Sequence, residues 1–217
     1  MDAAQLIQEV EAARASGRVS RGRLGLSEVG HKCQRWLRYR HDKAEVSPTP
    51  GRIVRLWRLG DAVEDLAKED LNLIGYEVTR SQEEVVVDIS DDIKLTGHID
   101  GVVTIDGELH LFECKSSSDK KFKELVKFGS YEKWNEKYKA QIHVYMLLLG
   151  LDLCLVWVEN KNTSEIYTEI ISIDDEYAIR TLEVVKTALE SIELPDRSCP
   201  SASWFEAKFC EYCAICF

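Results

Sequence analysis

Nothing in this sequence approaches the roughly 20 consecutive apolar residues that a membrane span requires. Its polar start, Met1-Asp-Ala-Ala-Gln-Leu, also lacks the apolar stretch of a secretory leader. These two absences point to an intracellular, cytoplasmic chain with no membrane partner, and leave a phage-encoded origin open. Internal repeats and low-complexity tracts are missing too, and only four prolines interrupt the chain, which argues against solenoids and long linkers. A basic excess is lacking overall: the net charge is -10, which by itself argues against a nucleic-acid partner. Cysteine is sparse until the tail, where four of the seven crowd into the last 19 residues. That distribution suits a metal or cluster site in a reducing compartment better than a disulfide framework.

At 217 residues and 45% hydrophobic composition, the chain can bury its own core, and one domain over 1–217 is expected. Two subregions stand out within it, a basic helical segment at 1–58 and a Cys-rich tail at 195–217. Between residues 14 and 58, twelve Arg and Lys side chains face only Glu28, Asp42 and Glu45, a local charge of +9 that leaves -19 for the rest. Such a concentration can track phosphates while an acidic body discourages nonspecific contact. A solvated basic face would have the same composition.

Taken in order, residues 2–13 suit a short amphipathic helix ended by Ser16-Gly17, and Ser27 is a plausible cap for a second helix through Arg40. In that second segment Cys33-Gln-Arg35-Trp36-Leu-Arg38-Tyr39 interleaves aromatic and arginine side chains, a pattern that can lie along a nucleic-acid strand or anchor a core. Pro48 and Pro50-Gly51 mark a loop before a long helix from about Ile53 to Leu73, which carries Gly60-x-x-x-Glu64. Residues 75–89 read as strand. Asp119 to Lys139, rich in lysine and aromatics, reads as a mobile, partly helical segment able to close over a substrate. Gln141 and Tyr145 stand four apart on one face of an apolar helix, where a wet edge is the plain explanation. Leu153 to Glu159 suits a buried central strand, Ile166 to Ile173 a further strand, and Asp174 to Ile192 a closing helix. Strands and helices mix without strict alternation, so the expected class is α/β in the broad α+β sense, a mixed sheet flanked by helices.

One stretch concentrates the chemistry. Val102 to Ile105 and Leu109 to Phe112 flank Asp106-Gly107, so they form a hairpin that returns Asp100 to the side of Glu113. The two-residue period of a strand puts Lys115 on the same face as Glu113 and sends Cys114 to the other. Two adjacent carboxylates repel unless a cation lies between them, and hard divalent ions such as Mg2+ take oxygen ligands of this kind. An ordinary cross-strand ion pair would use the same residues.

Read together, Gly60-x-x-x-Glu64, Gly97-His-Ile-Asp100-Gly, Glu113-Cys-Lys115 and Gln141-x-x-x-Tyr145 resemble the ordered motifs of the RecB-like branch of the PD-(D/E)XK nuclease superfamily. Cys33 and the terminal Cys210-x5-Cys216 are similar to flanking cysteines of CRISPR-associated RecB-like exonucleases, of AddB-type helicase-nucleases and of related phage nucleases. The resemblance implies a PD-(D/E)XK restriction-endonuclease-like core and a DNA exonuclease acting on single-stranded or duplex ends. In it Glu64, Asp100, Glu113 and the Cys114 carbonyl hold Mg2+ or Mn2+, and Lys115 orients the attacking water. Gln141 and Tyr145 position the substrate strand, with Arg35 and Arg38 as further contacts from the basic segment. It also implies a [4Fe-4S] cluster on Cys33, Cys199, Cys210 and Cys216, with Cys213 as the alternative ligand and Zn2+ as the alternative metal. Many members of that group read Cys-x2-Cys-x5-Cys at the end, whereas the position three before Cys210 here is Ala207. Recombination, repair or CRISPR-adaptation proteins are the implied partners. Two other readings stay open, an endonuclease or nickase of the same fold, and a non-catalytic DNA-binding adaptor with a zinc staple.

Overall fold

A computed structural model describes residues 2–17, 23–44 and 49–217. Arg18, Arg21, Glu45 and Pro48, which belong to the basic segment and its loop, lie outside the described residues. Helices α1 (Ala3–Gly17), α2 (Gln34–His41) and α3 (Gly51–Leu73) open the chain. Strands β1 (Val78–Thr79), β2 (Glu84–Ser90), β3 (Ile93–His98), β4 (Gly101–Ile105) and β5 (Glu108–Ser117) follow. Then come α4 (Asp119–Phe128), α5 (Tyr131–Trp134), α6 (Glu136–Leu149), β6 (Leu153–Asn160), β7 (Ile166–Ser172), α7 (Asp175–Glu190) and the short α8 (Cys213–Cys216).

The central sheet has the order β1-β4-β5-β6-β7, with β5 and β6 parallel and the other neighbours antiparallel. The expected mixed sheet flanked by helices is the one observed. Its hairpin forms because Asp106 and Gly107 both take positive φ, 51° and 87°, the twist a two-residue connection between strands demands. Strands β2 and β3 pair separately as a second, two-stranded sheet.

Each face of the large sheet is covered. On one, the stripe Val63, Ala67 and Leu71 of α3 packs on Val103, Phe112, Cys114, Leu155 and Trp157. The four-residue spacing puts that stripe on one side of the helix. Phe112 is fully buried there, and its truncation to Ala would cost about 3–5 kcal/mol. On the other face, α6 inserts between the sheet and the β2–β3 hairpin, so every residue from Ala140 to Met146 is buried. Asn135 caps the start of α6 by accepting from the Lys137 and Tyr138 amides, and left-handed Gly150 ends it.

Two expectations change. The segment 119–139 is not a lid: Phe122, Leu125 and Tyr131 are core residues, so packing fixes α4 and α5 in place. The single helix expected from Ser27 to Arg40 is broken into a 3-10 turn at Leu26–Glu28 and α2. Gly30 lies in the break, where a Cβ would collide with Ala140 on α6. Close approach to α6 takes precedence over helical continuity.

Candidate active site

The sheet register sets Gly101 opposite Phe112, which brings Asp100 level with Glu113. The backbone N–H of Cys114 donates to Asp100 Oδ2 at 2.8 Å, locking that carboxylate onto the neighbouring strand. Glu113 is fully buried and Lys115 partly so, because their face of β5 lies beneath α6. The Lys115 ammonium meets Glu113 Oε1 as an ion pair without good hydrogen-bond geometry, while Gln141 Nε2 donates to Oε2 at 3.1 Å. Lys115 also lies 5.4 Å from the Tyr138 ring centroid. Glu64 reaches in from α3 and accepts from Lys68 Nζ at 2.6 Å and Gln82 Nε2 at 2.9 Å. Its neighbour Asp65 is exposed.

These side chains surround a cleft of about 400 Å3. Glu64, Asp100, Lys115, Gln141 and Tyr145 line it, with His98 beside them and Glu113 buried behind Lys115. Tyr145 comes this close because residue 97 is glycine, whose missing Cβ would overlap the tyrosine hydroxyl and Leu26.

Electrostatically the acids are under strain. Burial, and then the charges of Asp100 and Glu64, push the Glu113 carboxyl up to about 7 despite Lys115. Burial and then Asp100 also raise Glu64, against Lys68 and Gln82. Burial works against the Lys115 charge, but Glu113 and Asp100 outweigh it, so the ammonium stays firmly protonated. Three carboxylates that repel one another offer oxygen donors of the kind a hard divalent cation takes, although among the described residues no three acidic side chains are gathered closely enough to hold one as they stand.

This arrangement agrees with what the whole sequence matches, the PD-(D/E)XK nuclease superfamily, over residues 3–217. The chain belongs to that superfamily. Solved structures similar to it include SSO0001, at 18% identity and a TM-score of 0.56 over 100% of this chain and 96% of that one. LHK-Exo in complex with dAMP aligns at 19% identity and 0.54, covering 84% of this chain and 90% of that one. The alkaline exonuclease LHK-Exo from Laribacter hongkongensis aligns at 17% and 0.53 over the same shares. No curated protein matches the sequence.

Other candidate residues of this nuclease fall elsewhere. Arg35 does not line the cleft: its Nε donates to the Pro195 carbonyl at 2.6 Å. Arg38 Nη1 donates to the carbonyls of Leu189 and Ser191 at the end of α7, and its Nε pairs with Asp42. Both arginines therefore tie α2 to the C-terminal side of the molecule, where unpaired helix-end carbonyls attract them. In their place Arg23, Arg40 and Trp57 line the cleft. The alternation of arginines and aromatics on α2 did not distinguish these positions, since one helix face meets α7 and another the cleft.

Cys33, Cys199, Cys210, Cys213 and Cys216 all line a second cavity of about 290 Å3 between α2 and the tail. All are free thiols. Burial, and then the neighbouring Cys33, Cys216 and Cys213 against a Tyr212 backbone hydrogen bond, push the Cys210 thiol up. Among the described residues, no group of three or more His, Cys, Asp or Glu side chains is gathered closely enough to hold a metal ion. Cys114 and Cys154 are buried in strands, as small core residues.

Proposed function

We propose that the chain is a divalent-metal-dependent deoxyribonuclease that trims DNA from ends. The observation that carries this reading is that Asp100, Glu64 and Lys115 line one cleft with Glu113 paired to Lys115 directly behind it. Glu64, Asp100 and Glu113, with the Cys114 carbonyl, would hold Mg2+ or Mn2+. Such an ion supplies an activated water at neutral pH and neutralises charge on the scissile phosphate. Lys115 keeps its proton and stabilises the same developing charge, so it acts as an electrostatic group and not as a base. Gln141 orients Glu113 through its amide. Tyr145 sets the inner wall against which the strand lies, and Arg23, Arg40 and the half-exposed Trp57 meet phosphate and base at the outer one.

The preference for ends draws on the fold shared with an alkaline exonuclease. The test is Mn2+-dependent digestion of end-labelled linear DNA beside a closed circle of the same sequence. Cleavage confined to the linear substrate is expected, and equal cutting of the circle would replace the reading by an endonuclease.

A second reading concerns the tail. Five thiols around one cavity suit a thiolate-ligated centre in composition, either a [4Fe-4S] cluster or Zn2+, held by Cys33 and three of Cys199, Cys210, Cys213 and Cys216. Iron, sulfide and zinc analysis of anaerobically purified protein distinguishes the two, and absence of all three would remove both.

A further inference from the structure

Gln82 is exposed and lies between β1 and β2, in a turn with no motif to recommend it. Its φ is 56°, in the left-handed region that residues other than Gly, Asn and Asp seldom occupy. Arg80, two residues earlier, has φ 52°. The turn is held in this shape from both sides. Arg80 makes a two-pronged ion pair with Glu83, at 2.6 and 2.7 Å. The Gln82 amide donates to the Ile99 carbonyl at 3.0 Å, and the Ile99 amide donates to the Glu83 carbonyl at 3.1 Å.

Ile99 immediately precedes Asp100. Gln82 therefore grips, with its backbone, the link between β3 and β4 that presents one acid, while its side chain donates to the other acid, Glu64 Oε1, at 2.9 Å. Lys68 donates to that same oxygen, so both donors hold one side of the carboxylate and leave Oε2 to neither. Strain kept by a braced turn, with the strained residue's amide on a cleft acid, is the pattern of a positioning device.

We infer that Gln82 is a positioning residue that fixes the spacing and orientation of Glu64 relative to Asp100, and thereby sets divalent-ion affinity. This rests on the reading of Glu64 and Asp100 as metal ligands. Two substitutions separate the side chain from the backbone. Gln82→Gly removes the amide and relieves the left-handed strain, while Gln82→Asn keeps an amide and tolerance of that region but is one methylene too short.

Mn2+ binding to DNA-free protein, measured by calorimetry, is the direct readout, with thermal unfolding in parallel. Both variants should bind Mn2+ about tenfold more weakly or worse, and should melt at or above the wild-type temperature. Glu64→Ala serves as the reference. If it weakens Mn2+ binding while both Gln82 variants bind as wild type does, the inference is overturned and the site reading stands. If Glu64→Ala itself leaves Mn2+ affinity unchanged, the site reading fails and the inference with it.

Discussion

Glu113 shows how a single carboxylate can be placed against its own solvation. It is fully buried, and Lys115, Asp100 and Glu64 are the charged groups facing it. Burial first, then the two acids, push its carboxyl up to about 7. A folded-state value above the unfolded one means that the fold favours the protonated form. The cost of ionising it thus grows as pH rises from the ordinary carboxylate range toward 7, and is complete above that. A divalent ion needs the ionised form, so binding must displace the proton below pH 7. Mn2+ affinity is therefore expected to fall by up to about tenfold per unit as pH drops below 7, and to level off above it. Calorimetric titrations between about pH 5.5 and 8.5 check this, and an affinity independent of pH over that range would contradict the assignment of Glu113.

At the scale of elements, the hairpin and the long helix that becomes α3 were legible because strand alternation, a two-residue Asp-Gly turn and a proline-glycine loop before an unbroken run are local signals. Asp100, Glu113 and Lys115 could be placed together from those signals alone. Gln141 and Tyr145 could not be placed by them: a wet edge was the plain expectation, yet Tyr145 is fully buried and Gln141 nearly so. Their burial depends on the β2–β3 hairpin covering α6 and on Gly97 admitting the tyrosine, both long-range facts. Gln82 carried no signal at all, because its role depends on a left-handed backbone in an otherwise ordinary polar turn. The arginines of the basic segment illustrate the same limit. Arg38→Ala should destabilise the fold by about 1–3 kcal/mol through loss of the Leu189 and Ser191 carbonyl contacts, with little effect on DNA affinity. Arg23→Ala should do the reverse, weakening DNA binding and lowering its salt dependence by about one counterion without changing the melting temperature. Denaturation and binding titrations at several salt concentrations separate the two.

Over the whole molecule, the tail closes on the basic segment. Tyr212 packs against Trp36 and Tyr39, Lys32 pairs with Glu206, and Arg35 reaches Pro195, so α2 is clasped even where thiols take no part. A metal or cluster on the cysteines would add to this clasp. Cys33→Ala should then lower the melting temperature and the bound metal content together while leaving Mn2+-dependent chemistry intact at permissive temperature; unchanged melting with full metal content would remove Cys33 from that role. The same clasp holds α2, with Arg40, at the outer wall of the cleft, joining the positive end of the chain to its acidic centre. The most direct test of that centre compares Asp100→Ala and Lys115→Ala with wild type, for both Mn2+ binding and cleavage of end-labelled DNA, using variants shown to melt normally. Asp100→Ala is expected to lose both binding and cleavage, and Lys115→Ala to retain binding but lose cleavage. Wild-type cleavage by both variants would contradict the assignment of this cleft as the nuclease centre.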